Sequence, residues 1–208
     1  MVKVKVCGIT RLADAVLVSE LGASAIGFVF WKGSPRAIGL GQAAAIVSEI
    51  PANIEVIGVF VNSSEEWVEN VVAEVGLTAV QFHGDETTEF CQRVSKRVRV
   101  IRAVSVSSTL EVENAIRLPQ AFTLLVDADD SARRGGTGRT VDWERAKTVA
   151  GCRPTFLAGG LGPENVGRAI REVQPYGVDA SSRLEVSPGV KDHGRLRLFF
   201  AAINGVYG

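Results

Sequence analysis

The chain begins Met-Val-Lys-Val-Lys-Val-Cys, an alternation of β-branched and charged residues that predicts a strand over Val2–Cys7. Short runs rich in Val, Ile and Phe recur at Ala25–Phe30, Glu55–Val61, Thr78–His83, Val98–Val104, Phe122–Asp127, Thr155–Ala158 and Gly177–Ala180. Longer amphipathic stretches separate them. In the first of these, Leu12, Val16, Leu17 and Leu21 share one helical face, with Thr10 placed to cap it. Ser63 or Ser64, followed by Glu65 and Glu66, marks a second helix start, because acid in a first turn complements the helix dipole. Leu161-Gly-Pro-Glu-Asn165 predicts a third, since proline is favoured at the first helical position.

The strands start roughly 25 residues apart, the length of one βα unit. A doubly wound open sheet usually has fewer strands and carries G-x-G-x-x-G directly after the first. Here the first strand runs into Cys7-Gly-Ile-Thr10. The pattern therefore predicts an α/β fold: a closed (βα)8 TIM barrel of eight parallel strands. No linker or shift in composition divides it, so residues 1–208 read as one domain.

Composition narrows the function. The 23 basic and 23 acidic residues cancel, which argues against a nucleic-acid or anionic-membrane partner held by bulk charge. A hydrophobic fraction of 46% supplies a large core and excludes global disorder. Three cysteines without repeated spacing form neither a disulfide framework nor a zinc site, and two histidines leave little for a metal centre. The charged, alternating start is not a signal peptide, and the apolar run Leu21–Trp31 is too short to span a bilayer. The expectation is a cytoplasmic protein, neither membrane-bound nor metal-dependent.

Barrel active sites lie at the C-terminal ends of the strands. The polar residues predicted there are Cys7, Arg36, His83, Asp127 and Asp179 to Ser182, with Gly159-Gly160 after strand seven. Cys7 shares its parity with Lys5, so if one faces the axis both do, and a buried ammonium needs a carboxylate partner. Asp127 closes an apolar strand and suits proton transfer, with Asp129 and Asp130 as competitors; a turn aspartate bonding its own backbone is the alternative. Arg36, stiffened by Pro35, can grip a carboxylate or phosphate, or be a solvated charge. His83 can polarise a substrate group or bond nearby backbone. Gly159, Gly160, Ser181 and Ser182 suit phosphate capture by backbone N–H groups. Cys91, on a helix, and Cys152, in a loop, read as structural. The stretch Ala128–Arg139, basic and glycine-rich, is either a lid or a solvated connection.

Seven segments, in order, resemble the phosphoribosylanthranilate isomerase family. They are Lys5-Val-Cys-Gly-Ile-Thr10, Gly27-Phe-Val-Phe with Ser34-Pro-Arg36, Gly58-Val-Phe-Val-Asn62, and Val80-Gln-Phe-His-Gly-Asp85. Leu125-Val-Asp127 with Gly135-Gly-Thr-Gly138, Leu157-Ala-Gly-Gly160 with Pro163-Glu-Asn165, and Ser187-Pro-Gly-Val-Lys-Asp192 complete the set. The resemblance implies an Amadori rearrangement of a phosphorylated small molecule in tryptophan biosynthesis, without cofactor, by a monomer or homodimer. It implies Asp127 as general acid and Cys7, as thiolate, as general base. Arg36 would hold the anthranilate carboxylate, His83 and Asp179 would contact substrate, and Gly159, Gly160, Ser181 and Ser182 would bind phosphate. Opposite protonation of acid and base implies that both pKa values are shifted.

Two segments depart from the family pattern. Arg183-Leu-Glu185 stands where Gly-Val-Glu is usual, so Arg183 either strains that turn or adds a cation to the phosphate site. Trp31-Lys-Gly33 replaces an aromatic, Pro and Lys. The related sugar isomerase of histidine biosynthesis looks for aspartate where this chain has Cys7. A catalytically silent phosphosugar-binding barrel is the alternative that Arg183 favours.

Overall fold

The computed structural model describes residues 1–127 and 143–208. The competing acids Asp129 and Asp130 and the candidate lid, Ala128–Arg139, lie outside the described residues. The eight strands are β1 (Lys3–Cys7), β2 (Ala25–Val29), β3 (Glu55–Phe60), β4 (Ala79–Phe82), β5 (Arg99–Val104), β6 (Thr123–Asp127), β7 (Thr155–Ala158) and β8 (Gly177–Ala180). All are parallel, and β1 pairs with both β2 and β8 to close the barrel. Each predicted strand is present, trimmed by at most one residue at either end.

Alternation sorts the strand side chains into two apolar layers. Val4, Val6, Ile26, Phe28, Val80, Phe82, Leu124 and Val126 face outward and pack under the helices. Ala25, Ile57, Ala79, Ile101, Leu125 and Phe156 face inward and plug the barrel. The interior below the mouth is therefore packed, and polar residues at inward positions stand out. No helix among the described residues is long and apolar enough to cross a membrane.

The surrounding helices are α1 (Leu12–Glu20), α2 (Leu40–Val47), α3 (Glu65–Val75), α4 (Thr88–Ser95), α5 (Thr109–Arg117), α6 (Trp143–Cys152), α7 (Val166–Val173) and α8 (His193–Asn204). Ser64 caps α3 by accepting from the Trp67 N–H, as one of the two predicted candidates. Three other readings need correction. Thr10 does not cap α1: Arg11 is the N-cap, and the Thr10 hydroxyl donates to the Gly189 carbonyl instead. Pro163 lies in a turn, and α7 starts three residues later, because Asn165 bonds back to the Gly160 carbonyl and the Gly162 N–H and closes that turn first. Cys152 ends α6 rather than lying in a loop.

A hairpin absent from the predicted elements follows β8. A 3-10 turn, Ser182–Leu184, leads into β9 (Glu185–Ser187), which pairs antiparallel with β10 (Val190–Lys191). The buried Asp14 of α1 clasps it: its carboxylate accepts from Arg11, from the Lys191 N–H and from His193. Burial alone would raise the Asp14 carboxyl, yet these donors hold it below its usual range.

Candidate active site

Cys7 ends β1 facing inward, beside Gly27 of β2. A Cβ at Gly27 would sit 2.9 Å from the Cys7 sulfur and 3.2 Å from Lys5 Cε, so the missing side chain is what makes room for both. Lys5 lies two residues down the same face and is 0% exposed. The carboxylate its burial demands is Asp179, whose Oδ2 is 2.9 Å from the Lys5 ammonium. Burial would lower the Lys5 pKa, but the Asp179 carboxylate and the Cys7 sulfur hold it above the ordinary value.

Asp127 ends β6, paired in register with Ala158 of β7. Its Oδ2 stands 3.5 Å from His83 Nε2, just past the end of β4. The other ring nitrogen of His83 lies 3.2 Å from Gln81 Nε2. A cleft of about 410 Å³ lined by His83, Arg102, Ser105, Glu111 and Asp127 opens beside them, in the size range of small-molecule sites.

Buried polar side-chain atoms nearly always have a partner. Among the described residues, those without one are Gln81 Oε1, Asp179 Oδ1, Ser181 Oγ and Arg153 Nε. The first three belong to the barrel's inner wall or its mouth. Arg153 lies elsewhere, its guanidinium donating to backbone carbonyls from Ala115 to Phe122. Asp179 and Ser181 stand at the C-terminal end of β8, and Gln81 lies one inward position below His83.

Arg36 is held on one edge. Its Nε and Nη2 donate to Glu185, the shortest contact being 2.7 Å. The Lys191 ammonium, also buried, donates to the same carboxylate at 2.7 Å and to the carbonyls of Cys7 and Ser181. Burial would raise the Glu185 carboxyl, but these two cations keep it low. Lys191 itself is pushed down by burial, with Glu185 opposing. Neither Lys191 nor Glu185 was among the sequence-predicted site residues; the hairpin that carries them has no periodic signature long enough to read.

The expected depression of the Cys7 thiol is not what this environment produces. Burial pushes it above its ordinary value, and the nearby Lys5 and Lys191 ammoniums offset only part of that, with Asp179 working against them. A base of this kind gains activity as pH rises. In Lys191→Met one stabilising cation is gone, so the thiolate limb of the kcat/KM profile should move to higher pH. The pH dependence of alkylation at the Cys7 peptide, followed by mass spectrometry, checks this independently of turnover. An unmoved limb would mean that Lys191 serves only the hairpin.

Gly159 and Gly160 both have positive φ, 86° and 61°, which only glycine adopts without strain, and they expose backbone at the end of β7. Ser181 and Ser182 follow β8 on the neighbouring rim. Arg183 fulfils neither expectation raised for it. It is not among the non-glycine residues with positive φ, and its guanidinium turns outward to Glu164 at 2.9 Å. Glu164 accepts a second cation, Arg195, so the extra charge is spent on the surface. The altered Trp31-Lys-Gly33 segment leaves the Trp31 indole over Gly33, half exposed.

Gln81, whose carboxamide meets the His83 ring, was not singled out in the sequence either. Its signal was available, since residues 79, 81 and 83 share the inward parity of β4, and a carboxamide inside a packed barrel is anomalous.

Comparison with known proteins adds four findings. Residues 4–202 match the family model described as N-(5′-phosphoribosyl)anthranilate (PRA) isomerase. The N-(5′-phosphoribosyl)anthranilate isomerase of Magnetococcus marinus is 42% identical over 202 residues, covering 97% of this chain and 95% of that one. The crystal structure of phosphoribosyl anthranilate isomerase from Thermotoga maritima superposes with a TM-score of 0.92 at 42% identity, covering 99% of this chain and all of that one. A further structure of such an isomerase, in complex with reduced 1-(o-carboxyphenylamino)-1-deoxyribulose 5-phosphate, aligns with a TM-score of 0.87 at 40% identity over 99% of this chain and 100% of that one.

Proposed function

The chain belongs to the N-(5′-phosphoribosyl)anthranilate isomerase family, and from that premise we propose that it catalyses the family's Amadori rearrangement in tryptophan biosynthesis. The substrate is N-(5′-phosphoribosyl)anthranilate and the product 1-(2-carboxyphenylamino)-1-deoxyribulose 5-phosphate. Asp127, protonated, gives its proton to the furanose oxygen as the C1′–O bond breaks, and the anilino nitrogen lone pair forms the Schiff base. The Cys7 thiolate takes the C2′ proton, and the freed electron pair makes an enolamine. Loss of the enol proton and protonation at C1′ yield the ketone. The rearrangement is redox-neutral, C1′ being reduced as C2′ is oxidised, so it needs no external oxidant or reductant, and we assign it no cofactor.

The remaining residues orient the substrate. Glu185 occupies Nε and Nη2 of Arg36, which leaves the Nη1 edge for the anthranilate carboxylate. Gly159, Gly160, Ser181 and Ser182 form the phosphate rim, and His83 and Asp179 contact the sugar. The observation that carries this reading is the gathering of the Cys7 thiol, the Asp127 carboxyl and the His83 imidazole at the C-terminal ends of β1, β6 and β4. Three free cysteines fit a reducing cytoplasmic setting, and the protein acts as a monomer or homodimer on a free small molecule.

The direct test generates N-(5′-phosphoribosyl)anthranilate in situ and follows anthranilate-type fluorescence. Rapid enzyme-dependent decay is expected. Absence of decay, with the reduced product analogue still binding, would instead identify a silent phosphosugar-binding barrel.

A further inference from the structure

Arg102 stands on the outer face of β5, level with Phe82 of β4 and Leu124 of β6, both of which belong to the apolar layer under the helices. A cation on that face needs acceptors, and its side chain is only 16% exposed. It finds them in one turn, residues 82–86, at the end of β4. Nη1 donates to the Phe82 carbonyl and to Glu86 Oε2, both at 3.1 Å. Nη2 donates to the Gly84 carbonyl at 3.0 Å and to the Glu86 carbonyl at 3.2 Å. The Glu86 carboxylate, buried beside the guanidinium, accepts in turn from the Gly84 and Asn62 N–H groups at 3.0 and 2.7 Å. The Asn62 side-chain oxygen accepts from the Asp85 N–H, which ties the loop after β3 to the same turn.

The two carbonyls that bracket His83, those of Phe82 and Gly84, are thus held by one rigid planar fork, while the His83 N–H is tied to the Phe60 carbonyl. Fixing the backbone on both sides fixes the direction from which the imidazole enters the cleft it lines. We propose that Arg102 is a positioning residue for the isomerisation, whose guanidinium holds the turn that aims His83 at the sugar and acts on the substrate only through that imidazole. The proposal rests on His83 meeting the sugar. Arg102 lines the same cleft, so direct contact with substrate is the competing role. Its hydrogen bonds argue against that role. All four N–H groups of Nη1 and Nη2 are committed to Phe82, Gly84 and Glu86, and the Glu86 carboxylate balances the charge.

A double-mutant cycle separates the two roles. With N-(5′-phosphoribosyl)anthranilate generated in situ, Arg102→Met should lower kcat/KM by about tenfold once normalised to the folded fraction. In a His83→Ala background the same substitution should change kcat/KM by less than about twofold, because the group it aims is gone. The chain has two histidines, so the His83 ring signals of 15N-histidine-labelled protein can be assigned with His193→Asn. Those signals should shift and broaden in Arg102→Met, whereas a loss of stability alone leaves them unmoved in the folded remainder. Arg102→Met strands the buried Glu86 carboxylate. If that variant does not fold, Arg102→Lys keeps the cation without the planar fork, and the cycle is read with it at about threefold. An unaltered kcat/KM, equal losses in the two backgrounds, or unmoved His83 signals overturn the proposal. If the wild type has no isomerase turnover, the functional reading fails. The same cycle, read as affinity for the reduced product analogue, then still decides whether Arg102 places His83.

Discussion

Asp127→Asn is expected to lower kcat by about a thousandfold, or ~4 kcal/mol of transition-state stabilisation, with KM within a few-fold of the wild type. Asparagine keeps the shape and one acceptor oxygen but has no proton to give. Ring opening then depends on water, while the contacts that hold phosphate and carboxylate persist. Cys7→Ser should fall by a similar factor for the opposite reason, because a hydroxyl flanked by Lys5 and Lys191 is a far weaker base than a thiolate. Single-turnover fluorescence decay separates these losses from product release. Full activity in Asp127→Asn would move the acid to Asp129 or Asp130.

Lys5→Met should destabilise the fold by about 3–5 kcal/mol, because it strands Asp179 in the barrel without its cation. For a chain of this size that corresponds to a fall in Tm of roughly 10 °C. The loss should be largest at pH values where Asp179 would have to remain ionised and should shrink as acid neutralises it. Lys5→Met combined with Asp179→Leu removes both charges and should recover most of the stability. Thermal unfolding of the two variants across pH decides the matter; equal melting temperatures would show that the pair contributes little.

The architecture was legible because each strand has its own apolar run and each helix its own face, so local pattern and tertiary burial agree. Parity also reached into the site, since Cys7 facing inward required Lys5 to do the same and required a carboxylate for it. That carboxylate could not be chosen from sequence, because Asp179 lies 174 residues away and becomes a neighbour only through β1–β8 closure. The hairpin was illegible for another reason. Two short strands with a proline-glycine turn carry no period, yet they deliver Glu185 to Arg36 and Lys191 to the Cys7 carbonyl. Thr10 read as a cap from local chemistry alone, and that hairpin's Gly189 carbonyl claims its hydroxyl. Arg183 was judged by the glycine it replaces, while the fold simply directs it outward to Glu164.

The seam between β1 and β8 also sets the order in which the molecule can come alive during synthesis. A ribosome adding about 5–20 residues per second makes Lys5 roughly 10–35 s before Asp179, and Lys191 later still. Throughout that interval Lys5 has no Asp179 to pair with, so β1 cannot bury its ammonium against that carboxylate. The β1–β8 seam can close only after residue 179 has been made, and Lys191 reaches the Cys7 carbonyl only later still.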